Sequence, residues 1–322
     1  MSLRWGFLGA SRIGRSALGP AVQMAPGHVL QAVAARDADR AAAYAAELGA
    51  PRSFGSYAAL LADPDIDLIY NALPNDAHAP LTIRALEAGK HVLCEKPLCM
   101  NAAEVRAMQV AEQRSGKRVM EAFCHVFHPQ VARVQALLAE DRIGRLLAVH
   151  ALFGNTLEWE GDFRWAGALG GGALLDLGCY AVSLIRDLVD REPIRVSAAQ
   201  ENRGDVDATM SALLDFGDGL AGQFTCSFTS AKAQYMTLLG TRGTIQLDFP
   251  FSTRARETTL TCGDLVERFG AFQPYVGMVT HFGRAVAGEV PMTRGLDWSL
   301  AQARVLDALL LAGRTGATVS LD

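Results

Sequence analysis

Leu3-Arg-Trp-Gly6-Phe-Leu8-Gly9-Ala10-Ser11-Arg12-Ile13-Gly14 is a short apolar run that ends on a glycine turn. Arg15 to Met24 then has helical character, interrupted by Gly19-Pro20. Strand, glycine turn and helix in that order suit a pyrophosphate, which backbone N–H groups can hold at the head of the helix. Three glycines serve such a loop: one for the tight turn, one for close approach of the phosphates, one for helix–sheet packing. Here Ser11 stands in the middle position, and Gly6 precedes the loop and cannot replace it. The motif is therefore degenerate, and an ordinary turn of an α/β protein is the plain alternative. If it binds a dinucleotide, Gly9, Ala10, Ser11, Arg12 and Ile13 are its contacts.

Outward from that loop, the second strand, Val29 to Ala35, ends in Arg36-Asp37, where a chain that binds NAD carries an acidic residue for the ribose. Arg36 and Arg40 suit a 2′-phosphate instead, through charge-assisted hydrogen bonds. NADP is the preferred cofactor on this basis, with NAD the alternative, since Asp37 could still serve the ribose and both arginines could merely solvate the helix Ala38 to Leu48. Gly49 is the expected end of that helix. Ile66 to Leu73 is a buried strand closed by Pro74-Asn75, and a helix follows from about Ala77 to Ala88. His91 to Glu95 is the next strand, Asn101-Ala-Ala-Glu104 opens a helix to about Ser115-Gly116, and Val119 to Ala122 completes the alternation. The fold class is α/β: a Rossmann doubly wound parallel sheet of about six strands, placed at residues 1–122.

The fourth strand ends abruptly in Glu95-Lys96-Pro97. Ligands of such sheets bind beyond the carboxyl ends of the strands, so a carboxylate and an amine there face a cleft. Proline fixes its own φ and restricts Lys96, although a surface ion pair before a turn would read the same way.

The pattern changes near Phe123. Leu146 to Phe153, Ile194 to Glu201, Thr209 to Phe216, Leu220 to Thr229, Gln234 to Leu239 and Thr244 to Phe249 are strand-like, and a helix spans about Val131 to Leu138. Gly217-Asp-Gly219 signals a hairpin, and Phe224, Cys226 and Phe228 alternate with Gln223, Thr225 and Ser227. Residues 123–322 are thus expected to form a C-terminal α+β domain with a large, mostly antiparallel, open-faced sheet, its free face joining copies as a homodimer or homotetramer. Helices near Val276 to Ala287 and Leu296 to Leu311 close the chain, and the last can pack back on the first domain.

Thirty basic against thirty-four acidic residues give a net charge of −4, with no basic block for nucleic acid. The head of the chain lacks the run of a signal peptide, and no segment is expected to reach the length of a membrane span. The six cysteines show no metal spacing and are read as buried thiols of a cytoplasmic protein; no metal site is expected. The partners expected are small molecules.

Gly170-Gly-Gly-Ala-Leu-Leu-Asp176-Leu-Gly178-Cys-Tyr180 is the second dense signal. Its glycines let backbone approach something closely, and Asp176 and Tyr180, four apart on a helix, would share a face. Gly178 between them costs about 1 kcal/mol relative to alanine and implies that space is needed there. Tyr180 is a poor base unless an ammonium favours its phenolate, and Lys96 would be that ammonium. A glycine loop before an ordinary amphipathic helix is the alternative.

Both constellations together resemble the Gfo/Idh/MocA family of NAD(P)-dependent oxidoreductases, closest to its dihydrodiol and D-xylose dehydrogenases. The resemblance rests on the Gly9 loop, Leu73-Pro74-Asn75 with His78, Glu95-Lys96-Pro97, Met120-Glu-Ala-Phe123 and Gly170 to Tyr180. It implies Lys96 and Tyr180 as the catalytic pair and Asp176 as their support or a substrate contact. It also implies Leu73, Pro74, Asn75 and His78 on the nicotinamide side, Glu95 orienting Lys96, and Arg164-Trp165 reaching the cofactor. The activity it implies is hydride transfer between nicotinamide and a hydroxyl carbon of a sugar, cyclic polyol or dihydrodiol. Two other activities of the same family stay open: an NAD-dependent glycosidase and a cofactor-sensing regulator without catalysis.

Overall fold

The computed structural model describes residues 2–159 and 161–321. Packing divides the chain into two compact units, residues 1–124 with 275–300 and residues 125–274 with 301–322.

The first unit alternates β1 (Leu3–Leu8), α1 (Gly19–Met24), β2 (His28–Ala34), α2 (Ala38–Leu48), β3 (Arg52–Phe54), α3 (Tyr57–Leu61), β4 (Leu68–Asn71), α4 (His78–Glu87), β5 (His91–Cys94), α5 (Ala102–Ser115) and β6 (Val119–Glu121). All six strands are parallel, in the order β3-β2-β1-β4-β5-β6, so the order reverses at β1 and β4. That reversal is the crevice where such sheets bind ligands. The strands read as near-continuous apolar runs because both faces are covered; Trp5, Phe7, Leu68, Ile69, Val92 and Leu93 are buried. Helix ends follow local chemistry: Asp37 and Asn101 each accept a hydrogen bond from the N–H three residues on, and Gly49 and Gly116 end their helices in the left-handed region.

Gly19-Pro20 does not interrupt the first helix. A π-helical turn, Gly14–Leu18, runs directly into α1, which begins at Gly19-Pro20. The strand β3 was not foreseen; three residues are too few to show a period.

In the second unit α6 (Pro129–Ala139), β7 (Leu146–Gly154) and α7 (Cys179–Val189) precede β8 (Arg195–Arg203), β9 (Val206–Asp215), β10 (Ala221–Ser227), β11 (Ala233–Gly240), β12 (Thr244–Leu247), β13 (Thr258–Cys262) and β14 (Leu265–Phe269). After α8 (Pro274–Val286) and α9 (Leu296–Thr315), β15 (Val319–Ser320) joins the same nine-stranded sheet. Its order is β14-β13-β12-β11-β7-β10-β9-β8-β15, and every pairing is antiparallel except β7 with β10. One face carries buried Val149, Met210, Phe224 and Met236 under α7, while Leu213, Tyr235, Leu239 and Val266 are exposed.

Residues 275–300, which the sequence places in the second domain, group with the first unit. Phe282 of α8 lies 5.8 Å from the Trp5 ring, and Gly283 leaves room for His28, which accepts the Trp5 indole N–H at 2.9 Å. The backbone carbonyl of Arg294 accepts the Glu121 N–H at 3.0 Å and so covers the open edge of β6. A second difference concerns Gly167–Val189, a helical run apolar and long enough by composition to cross a membrane, where no such segment was expected. Most of it is buried inside the structure, as in the core helix of a globular protein.

Candidate active site

The glycine loop is built by its own side chains. Gly9 sits at φ +90° with Leu73 against it, so a side chain there would collide. Ser11 fills the place of the missing glycine: its hydroxyl accepts the Gly14 N–H at 3.0 Å and its carbonyl accepts the Tyr44 hydroxyl at 3.0 Å. Arg12 is exposed and Ile13 caps the π-helical turn, so residues 9–13 stand at the head of the first helix.

At the end of β2, Arg36 and Arg40 are both exposed, and Arg40 reaches the Ala10 carbonyl at 3.4 Å. Asp37 is committed to the cap of α2, accepting the Arg40 N–H at 2.8 Å. The loop therefore has the Arg40 guanidinium against it, Arg36 stands exposed at the end of β2, and the Asp37 carboxylate is turned to the helix. These residues fit a nicotinamide dinucleotide with a phosphate on its adenosine ribose.

The Lys96 turn is fixed on both sides. Glu95 is buried and accepts the Tyr70 hydroxyl at 2.6 Å with one oxygen and the Lys96 N–H at 3.3 Å with the other. Lys96-Pro97 is a cis peptide, and the Pro97 carbonyl lies 2.8 Å from the His78 ring. The other His78 nitrogen lies 2.8 Å from the Leu73 carbonyl, so the buried ring ties the Leu73-Pro74-Asn75 loop to the Lys96 turn. Burial pushes the His78 pKa down to about 4 against the opposing pull of both carbonyls. A neutral ring has one N–H and donates to one of them at a time. With both nitrogens turned to the backbone, His78 shapes the turn from beneath. Glu121, noted in the sequence only as part of a family run, accepts the Leu98 N–H at 2.9 Å and the Ser299 hydroxyl at 2.7 Å.

In the second unit two of the three glycines let the chain approach itself. Gly171 lies against the backbone of Arg164 and Ala166, and Gly172, at φ +115°, lies against Asp207. Asp176 lies in a π-helical turn, Leu174–Gly178, that leads into α7, which carries Tyr180. Asp176 accepts from the Arg164 guanidinium at 3.0 Å, and Arg164 also pairs with Asp162 at 3.1 Å. Tyr180 sits among His125, Phe153 and Phe251, with ring centres 5.0, 5.7 and 6.2 Å away. Trp165 is buried, donates its indole N–H to the Glu158 carbonyl at 2.8 Å, and packs on Trp159 and Phe228. The space expected at Gly178 is needed: an added Cβ would lie 2.8 Å from Leu174, 3.0 Å from Cys226 and 3.2 Å from Phe224.

Asp207 escaped the sequence reading. It is buried on β9, accepts the Leu174 N–H at 2.6 Å, and burial pushes its pKa up to about 7. An aspartate inside an apolar strand, where such residues are depleted, was the available signal. Among the described residues no group of three or more His, Cys, Asp or Glu side chains is placed to hold a metal ion.

A doubly wound sheet with a glycine loop at its reversal, followed by an open-faced antiparallel domain, defines an NAD(P)-dependent oxidoreductase of two domains. The chain belongs to the Gfo/Idh/MocA family: the family's oxidoreductase model with the NAD-binding Rossmann fold matches residues 3–123, and its C-terminal domain model matches residues 131–246. It is 38% identical over 99% of its length, and 100% of the relative's, to D-xylose 1-dehydrogenase (NADP(+)) 2 of Haloferax volcanii. It is 39% identical to trans-1,2-dihydrobenzene-1,2-diol dehydrogenase of Sus scrofa, over 77% of this chain and 74% of that one. Among solved structures, a 3-ketoreductase from Actinomadura kijaniata in complex with NADP superimposes with a TM-score of 0.90 at 29% identity, covering 97% of this chain and 98% of that one.

Proposed function

We propose that this enzyme prefers NADP and oxidises, reversibly, a hydroxyl carbon of a sugar, cyclic polyol or dihydrodiol. The observation that carries the cofactor preference is Arg40 against the loop at the Ala10 carbonyl, with Arg36 exposed at the end of β2 and Asp37 committed to the α2 cap. The substrate class draws its support from the relatives, which are named for xylose and for a dihydrodiol.

The bound nicotinamide supplies the hydride acceptor and donor. The chain's own residues hold and move the proton. Tyr180 is the proposed acceptor of the hydroxyl proton, and Lys96 the cation that favours its phenolate. Glu95 and His78 set the Lys96 turn, Asp176 with Arg164 offers a charged pair for substrate hydroxyls, and Gly9 to Ile13 hold the pyrophosphate. Leu73, Pro74 and Asn75 border the nicotinamide, and Trp165 supports Arg164. The exposed face of the nine-stranded sheet, with Leu213, Tyr235, Leu239 and Val266, is the proposed surface for association in a cytoplasmic homo-oligomer.

The test is the absorbance of reduced nicotinamide with NADP and with NAD against D-xylose, other aldoses, cyclic polyols and a trans-dihydrodiol. Turnover with NADP at a sugar or diol is expected. Cofactor that stays bound with no net reduction, while a glycoside is cleaved, would replace this proposal with the glycosidase.

A further inference from the structure

We infer that Glu121 is a positioning residue that fixes Lys96 for the reaction; the inference rests on the catalytic role proposed for Lys96. Glu121 ends β6, opposite Cys94, the last residue of β5, so the strand that delivers Lys96 and the strand that delivers Glu121 are neighbours in register. Its side chain is 2% exposed. One carboxyl oxygen accepts the Leu98 N–H, two residues past Lys96, at 2.9 Å, and the other accepts the Ser299 hydroxyl at 2.7 Å. Its own N–H is held by the Arg294 carbonyl at 3.0 Å, and its own carbonyl accepts the Phe123 N–H at 2.9 Å. The group that grips the turn is thus itself gripped.

Lys96 therefore stands between two anchored carboxyl groups: Glu95 with Tyr70 behind it upstream, and Glu121 with Ser299 behind it downstream. Satisfying one backbone N–H does not require a buried carboxyl group, which is costly to desolvate, when an amide or water would serve. What a fully satisfied buried network adds is rigidity. Rigidity matters at this turn because a misplacement of about 1 Å in a catalytic group can cost roughly a hundredfold in rate. A lysine side chain is flexible by nature, so its precision has to come from the backbone that carries it.

The chain has four lysines, Lys90, Lys96, Lys117 and Lys232, which makes Lys96 observable by itself. Reductive methylation with 13C-formaldehyde gives each reactive lysine its own dimethylamine resonance, and Lys96→Arg identifies the one that belongs to Lys96. Glu121→Ala is expected to move that resonance while those of Lys117 and Lys232 stay in place. Glu121→Gln, which keeps an acceptor for Leu98 and a polar partner for Ser299, should restore it. In turnover, Glu121→Ala should lower kcat tenfold or more with the KM for NADP little changed, as expected of a geometry lost at the reacting centre. If Glu121→Ala fails to fold, Ser299→Ala loosens the same carboxyl group from behind and should move the resonance in the same direction by less. A Lys96 resonance unmoved in Glu121→Ala, or in Ser299→Ala where that variant has to serve, overturns the inference. If Lys96→Met keeps full turnover, the catalytic reading of Lys96 fails, and Glu121's part in the reaction falls with it. An inactive Lys96→Met together with an unmoved resonance sinks Glu121 alone.

Discussion

Asp207 makes the stability of this protein depend on pH in a way that one substitution should erase. Its carboxyl group is 4% exposed, it faces the head of the helix that carries Asp176 and Tyr180, and burial raises its pKa from 3.8 to about 7. The Cys226 thiol nearby is pushed far up by burial and stays neutral over the same range. For an acid whose folded pKa lies above its unfolded one, folding takes up a proton. The resulting stability is full below the unfolded value and is lost as pH rises through the folded value. At about 1.4 kcal/mol per pH unit, the loss between pH 5 and pH 8 comes to roughly 2 to 3 kcal/mol. Asp207→Asn removes the titration, so its urea midpoint should vary less over pH 5 to 8 than that of the unaltered chain. The difference between the two proteins should favour the variant increasingly toward pH 8. Parallel midpoint curves over that range would refute this reasoning and show that the carboxyl group stays ionised in the fold, held by the Leu174 and Ala173 N–H groups.

Three further outcomes are expected. Arg36→Ala should weaken NADP binding more than NAD binding, read by fluorescence titration with both reduced cofactors; an unchanged ratio removes the proposed 2′-phosphate site. Gly178→Ala should destabilise by roughly 1 to 3 kcal/mol despite alanine's better helix propensity, because the new methyl presses on Leu174, Cys226 and Phe224, and a thermal melt reads the change. Light scattering at micromolar concentration should give at least twice the 34.4 kDa chain mass, and Tyr235→Glu on the exposed sheet face should lower it.

Much of the first unit was legible because its signals are local. Strands buried on both faces read as apolar runs, and Asn101, Gly49 and Gly116 mark helix ends through bonds to residues three or four positions away. The features that escaped depend on distant partners. Helix α8 has an apolar face in any reading, but only Trp5 and His28 decide that it packs in the first unit. The strands β13 and β14 alternate with polar residues at the edge of the sheet and give a weak pattern. The π-helical turns at Gly14–Leu18 and Leu174–Gly178 have no sequence period that separates them from an α-helix. Within the candidate site the residue types were legible and their partnerships were not. Arg164 and Asp176 were assigned to cofactor and catalysis separately, yet they form an ion pair. The support given by Tyr70, Glu121 and Asp207 arises from strands far apart in sequence.

The most direct test is the turnover of Tyr180→Phe, Lys96→Met and the double variant with NADP and the substrate that the panel identifies, alongside NADP affinity measured without substrate. Each single variant should keep its affinity for NADP and lose about 10²- to 10⁴-fold in turnover, and the double variant should lose little more, as for groups that act as a unit. Tyr180→Phe that retains most of its turnover, with the same inflection on the basic side of its pH profile, would contradict the assignment and move the proton to Asp176 with Lys96.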